Sequence, residues 1–148
     1  MNNIRLRVKK VHPDAVIPQY QTKGAAGFDL VAVEDVTLGP GETTTISTGL
    51  AFEIPEGYEM QIRPRSGLTL KTPLRIANAP GTIDSDFRGE VKIIVTNTSE
   101  NKGFYIKKGD RIAQGVIAPV MRAVFEEADD LSETDRGSGG FGSTGVRG

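Results

Sequence analysis

The stretch Gly81-Thr-Ile-Asp-Ser-Asp-Phe-Arg-Gly-Glu90 runs directly into Val91-Lys-Ile-Ile-Val-Thr96. The second part alternates. Val91, Ile93 and Val95 share one face, with Lys92, Ile94 and Thr96 on the other, the period of a half-buried β-strand. The first part has glycine at both ends, enclosing two aspartates, one aromatic ring and one arginine. Glycine takes positive φ freely, so a tight β-hairpin is expected. Such a hairpin would offer backbone donors and acceptors to a flat ligand and fix the Asp84 carboxylate beside it. The plainer reading is a solvated surface turn, because most Gly/Asp turns carry no chemistry.

Strand signals recur outward from this segment. Ile4–Val8 and Tyr58–Arg63 alternate with period two. Thr43–Thr48 is β-branched and is expected to end at Gly49. Arg111–Val120 reads as a long strand, open to interruption near Gly115 and Pro119. Turn signals punctuate these runs at Leu38–Glu42, Pro55–Gly57, Asn78–Gly81 and Lys107–Asp110. One short helix is expected, over Ser66–Lys71. Many short strands with this spacing predict an all-β jelly-roll-like barrel.

Composition narrows the function classes. A chain of 148 residues with 37% hydrophobic and 25% charged residues suits one domain with a real core. The net charge of −1 gives no global support for non-specific nucleic-acid binding. Without cysteine, disulfides and thiolate metal sites are excluded. The single histidine, His12, cannot build a histidine-rich metal site and reads as an ordinary exposed residue. No apolar run approaches ~18 residues and no signal pattern opens the chain, so a cytoplasmic protein, or a nuclear or organellar one after processing, without membrane contact is expected.

Beyond Val124 the character changes. Glu126, Glu127, Asp129, Asp130, Glu133 and Asp135 form an acidic stretch expected to self-repel and extend. It leads into Arg136-Gly-Ser-Gly-Gly-Phe-Gly-Ser-Thr-Gly145, which lacks the Lys-Ser/Thr pair of a Walker A loop. By composition this is a flexible Gly/Ser tail. Its opening arginine and lone Phe141 argue for a partner instead, and its successive amides could wrap phosphate oxygens. Two segments are therefore expected: a barrel over 1–125, and an acidic linker with a Gly-rich arm over 126–148.

Three further fragments complete the pattern. Gly24-Ala-Ala-Gly-Phe-Asp-Leu30 places Asp29 at the entry to a strand. Pro64-Arg-Ser-Gly-Leu68 sets a cation and a hydroxyl beside a helix start, where anions are favoured. In Gly109-Asp-Arg-Ile-Ala-Gln114, period two puts Gln114 on the side of Ile112 and Val116. Each fragment alone is weak: a turn, a satisfied carboxylate, a buried amide.

Together, in this order and spacing, the five fragments from about Lys23 to Gly145 resemble the motifs of the trimeric dUTP pyrophosphatases (dUTPases). The resemblance implies a jelly-roll homotrimer with active sites shared between subunits. It implies Mg²⁺-dependent hydrolysis of dUTP to dUMP and pyrophosphate, limiting dUTP incorporation into DNA and supplying dUMP for thymidylate synthesis. By the same resemblance Asp84 would activate the attacking water. Asn78 and the backbone of Gly81, Thr82 and Ile83 would read uracil, and Phe87 would pack on the deoxyribose. Arg65, Ser66, Gly67 and Gln114 would hold the phosphate chain, with Asp29 supporting them from behind. Arg136 would reach the γ-phosphate, Phe141 would stack over uracil, and Gly142, Ser143 and Thr144 would close on the phosphates. Mg²⁺ would be held by triphosphate and water, with no direct protein ligand. Two positions depart from the family: Phe87 stands where tyrosine is usual, and Gly115 where a bulky apolar residue is usual. A dCTP deaminase of the same superfamily and a non-catalytic β-barrel trimer are the competing readings; the Asp84 segment and the phenylalanine-bearing arm favour the pyrophosphatase.

Overall fold

The structure, a computed structural model, describes residues 2–148. Ten strands and one short helix follow in order: β1 (Arg7–Lys10), β2 (Phe28–Val31), β3 (Val36–Leu38), β4 (Thr43–Glu53), β5 (Tyr58–Arg63), α1 (Ser66–Lys71), β6 (Leu74–Ile76), β7 (Gly81–Ile83), β8 (Glu90–Asn97), β9 (Phe104–Ile106) and β10 (Arg111–Pro119). They form one four-stranded sheet in the order β1-β4-β8-β6, a second in the order β2-β10-β5-β7, and a small β3-β9 pair. All pairings are antiparallel. This is the expected all-β, jelly-roll-like architecture.

The core lies between the inner faces. Ile46, Leu50, Phe52, Val91, Ile93 and Val95 come from the first sheet. Leu30, Met60, Ile62, Ile112 and Ala113 come from the second, and Leu38 and Ile106 close it from the small pair. Asn97 is fully buried, and its amide nitrogen faces the carbonyls of Leu38, Gly39 and Lys102 at 3.3, 3.1 and 2.8 Å. Its amide oxygen accepts from the Ser99 N–H, so burial leaves no polar atom of this side chain unpaired.

Tyr58–Arg63 and Ser66–Lys71 have the expected bounds, and β8 buries Val91, Ile93 and Val95 as its alternation requires. The structure corrects four other expectations. β4 does not stop at Gly49. It continues to Glu53 through a register shift between Ser47 and Ala51, where Gly49 takes a φ of 70°. The first strand begins at Arg7, three residues after Ile4. β10 is not interrupted at Gly115, although it does end at Pro119 as the sequence allowed. His12 is half-buried: its Nδ1 accepts from the Asp14 N–H, and its Cβ would lie 2.8 Å from any Cβ placed on Gly49.

The Gly81–Glu90 segment is not a closed hairpin. β7 pairs with β5 in the second sheet, whereas β8 pairs with β4 and β6 in the first. The turn between them crosses from one sheet to the other. Neither glycine takes positive φ. They are needed for space: a Cβ on Gly81 would meet Ile62 Cβ at 3.2 Å, and one on Gly89 would meet the Phe87 ring at 2.7 Å.

Gly115 has a similar explanation. It is paired with Phe28, whose ring lies 2.5 Å from where a Gly115 Cβ would stand. The Phe28 ring fills the space that a bulky residue at 115 would need, and Tyr20 packs edge-on against it at 5.6 Å. Gly115→Val is expected to destabilise the fold by about 1–3 kcal/mol through overpacking. Denaturant unfolding checks this, and the penalty should shrink when the substitution is made in a Phe28→Ala background.

Candidate functional site

The register of β10 builds one half of the site. Gln114 is the cross-strand partner of Asp29 on β2 and of Arg63 on β5. Asp29 sits between buried Phe28 and Leu30, so this row of side chains points outward. A bulge at Ile112 adds Arg111 to the same face. Arg111 pairs with Val31 and Ala113 with Leu30, so Ile112 is the extra residue, and both Ile112 and Ala113 turn inward. Period two therefore failed here: Gln114 does not share a side with Ile112.

These residues interlock. Asp29 Oδ1 forms an ion pair with Arg65, 3.0 Å from its Nε, and its Oδ2 lies 3.7 Å from Arg111 Nη1. Arg65 Nη1 donates to the Arg111 carbonyl at 3.1 Å, and Gln114 Nε2 donates to the Pro64 carbonyl at 2.9 Å. Asp29 thus holds Arg65 beside Ser66 and Gly67 at the start of α1. Gly27 gives the Gln114 amide its room, since a Cβ there would lie 2.3 Å from Gln114 Oε1. Two cations against one carboxylate leave this face positive and suited to an anion.

The other half is the crossing turn. β7 is an edge strand, so the backbone edge facing away from β5 carries unpaired N–H and C=O groups. Asp84 follows at once and is exposed, and its carbonyl accepts from the Phe87 N–H at 3.2 Å. Phe87 folds its ring over Gly89 while staying 43% exposed, which leaves an apolar face available. Asn78 lies just before β7, with its amide nitrogen 3.3 Å from the position of a Gly81 Cβ.

One protomer does not bring these halves together. From the Gln114–Arg63 row, Met60 and its partner Ile83 lie three residues along β5. That is about 10 Å along the strands and about 10 Å across them before Asp84 is reached. Arg65 and Gly67 lie beyond the opposite end of β5. A base must come within ~2.6–3.2 Å of the proton it takes, far less than this separation. The third group, Arg136 and Phe141–Thr144, stands apart from both. Every residue from 121 to 138 is exposed, and Arg136 donates only to the Gly139 carbonyl, at 2.9 Å.

Among the described residues no three acidic or histidine side chains gather as a metal cage. The shifted ionisations lie elsewhere. The Lys108 ammonium holds Asp14 below its ordinary value. The Lys108 N–H, with the Tyr105 hydroxyl, does the same for Asp35. Sequence reasoning missed the parts played by Arg111 and Gly27. An arginine opening a strand was visible, but the bulge that aims it at Asp29 leaves no period to read.

A jelly-roll protein with a cation-rich patch on one sheet and an acid-bearing edge turn has the features of an anion-binding protein. The dUTPase family model matches residues 13–145. The deoxyuridine 5'-triphosphate nucleotidohydrolase of Nautilia profundicola is 59% identical over 96% of this chain and 99% of its own. That of Helicobacter pylori (strain P12) is 50% identical over 97% and 98%. The dUTPase of Staphylococcus bacteriophage 80alpha, solved with dUpNHpp, superposes with a TM-score of 0.90 at 32% identity, covering 97% of this chain and 100% of that one. The chain belongs to the dUTPase family.

Removing the carboxylate that anchors Arg65 should be felt in the fold as well as the site. Asp29→Ala is expected to cost about 1–2 kcal/mol of stability, because two partly shielded guanidinium groups lose their partner. Denaturant melts of Asp29→Ala, Arg65→Ala and the double variant should give a non-additive cycle.

Proposed function

We propose that this chain hydrolyses dUTP to dUMP and pyrophosphate. The single observation that carries the reading is an exposed Asp84 at the end of an edge strand with free backbone polar groups, in a chain of the dUTPase family. Uracil would pair through N3–H and its carbonyls with the outer edge of Gly81–Ile83 and with Asn78. Cytosine presents the reversed pattern, and each mispaired buried polar group costs about 1–3 kcal/mol. Phe87 would cover the sugar and deny room to a 2′-hydroxyl.

Asp84 would orient a water in line with the α-phosphorus and take its proton. The water oxygen bonds to phosphorus as the bridging oxygen leaves with pyrophosphate. A carboxylate is a weak base, so positioning must supply much of the acceleration, up to about 7–11 kcal/mol in the best intramolecular cases. Arg65, Ser66, Gly67 and Gln114 would hold the phosphates as negative charge develops. The donor set fits a Mg²⁺ carried in on the triphosphate, since Asp29 is already committed to two arginines and no acidic cage is present among the described residues. When bound, that ion would supply positive charge that offsets the charge of the triphosphate. A phage phi11 dUTPase variant, with a TM-score of 0.81 and 27% identity to this chain, is described with a coordinated structural Mg(II) ion.

The active unit would be a homotrimer. Asp84 and Arg65 lie at opposite ends of β5, so a complete site needs a second copy. Met121, Val124 and Phe125 are more than nine-tenths exposed, apolar surface that a neighbouring copy would cover. Residues 126–148 form the arm of a third contributor. The twelve residues from Val124 to Arg136 span up to ~40 Å when extended. Phe141, wholly exposed here, would stack on uracil as the arm closes on bound nucleotide.

A pyrophosphate-release assay over dUTP, dTTP, dCTP and UTP, with and without Mg²⁺, should show turnover of dUTP alone; ammonia release from dCTP would point to the deaminase instead. Asp84→Asn is expected to retain nucleotide affinity and lose turnover on the order of 10²–10⁴-fold. Unchanged turnover would remove Asp84 from the base role. Phe141→Ala should weaken binding of a non-hydrolysable dUTP analogue by about 1–3 kcal/mol, read by calorimetry.

A further inference from the structure

Charge is divided unevenly along the chain. Residues 1–125 carry 16 basic and 13 acidic side chains, a net charge of +3, and residues 126–148 carry two basic and six acidic, a net charge of −4. All six acids of the arm fall between Glu126 and Asp135, a run with no lysine or arginine. None of them forms an ion pair among the described residues. An arm meant to close over a triphosphate would be repelled by it if that acidic run were not neutralised on the way.

The barrel offers a matching surface beside the crossing turn. A groove of about 350 Å³ is lined by Arg7, Val8, Lys9, Ala51, Phe52, Glu53 and Arg88. Arg7 and Lys9 alternate on one face of edge strand β1, opposite Glu53 and Ala51 of β4. Arg88 arrives from the turn itself, its Nη1 donating to the Ser85 carbonyl at 2.6 Å and lying 3.3 Å from that of Phe87. Arg7 is partly neutralised by Glu53 at 3.1 Å, whereas Lys9 and Arg88 have no carboxylate partner among the described residues. Three cations against one acid leave the groove positive.

We propose that this groove docks the acidic linker, Glu126–Asp135, of a neighbouring copy and so guides the arm onto the turn. The proposal rests on the dUTPase reading and adds a docking station to it. Length agrees with it: from Asp135 to Phe141 the chain spans at most ~20 Å. Linker acids at Arg88 therefore leave Phe141 within reach of Phe87 and Asp84. Lys9 and Arg88 bind the linker and not the nucleotide, and they act on closure through charge.

The test is a charge cycle on the full-length chain. One pair of substitutions is Lys9→Glu with Arg88→Glu; the other set neutralises the linker with Glu126→Gln, Glu127→Gln, Asp129→Asn, Asp130→Asn, Glu133→Gln and Asp135→Asn. The measurements are KM and kcat for dUTP at low and high salt, with thermal melts of every variant. In the native arm, reversing the groove should raise KM about 3- to 10-fold at low salt, as expected for a few exposed ion pairs, and high salt should erase the difference. In the neutralised arm the same reversal should have little effect. An equal rise in both arms would overturn the docking and place the cations on the nucleotide or in the fold. Lys9→Gln with Arg88→Gln gives the same comparison if the reversal melts early. Wild-type turnover of dUTP is read first. Its absence would sink the underlying activity, whereas normal turnover with additive effects sinks only the docking.

Discussion

The pairing of Gln114 with Asp29 on one side and Arg63 on the other is the constraint on which the rest depends. It sets the register of β10 against β2 and β5, and with it which residues face the core. A slip of one residue would turn Asp29 inward and push Leu30 into water. The burial of Phe28, Leu30, Ile62 and Ala113 therefore holds the polar row in place. The ion pairs of Asp29 follow from that packing and do not create it.

Two irregularities turn this scaffold into a site. The bulge at Ile112 lets residues three apart, Arg111 and Gln114, share the outer face. The crossing of the chain between β7 and β8 sets Asp84 outside both sheets. Regular strands bury their backbone polar groups in ladders, and an edge strand does not. In the proposed reading uracil would use that free edge, and phosphate would use the bulged face.

The same geometry is the basis for proposing a shared site. β5 is a rigid spacer with Arg65 beyond one end and the partner of Ile83 near the other. Rigidity keeps each half preorganised, and it also prevents them from meeting within a chain. The exposed apolar segment Met121–Phe125 and an arm with no hydrogen bond to its own barrel among the described residues are the matching features at the C-terminal end. Charge follows a similar division, with a basic barrel and an acidic linker.

Periodicity and turn chemistry in the sequence were enough to determine that the chain is all-β, that β5, β8 and α1 lie where they do, and which residue types cluster around Asp84. Those signals are local, and local alternation is set by burial on one face. The order and spacing of the five fragments pointed to the family. The short strands β3, β6 and β9 gave no readable period, because three residues hold too little alternation. Only the tertiary structure decided that Gly81 and Gly89 are glycines for space and not for φ, that Phe28 fills the room left by Gly115, and that Arg111 reaches Asp29. Gly89 and its neighbour Phe87 lie two residues apart, but only the folded turn brings the ring back over the glycine. The other contacts join distant parts of the chain through sheet packing, and no short window along the sequence contains both partners.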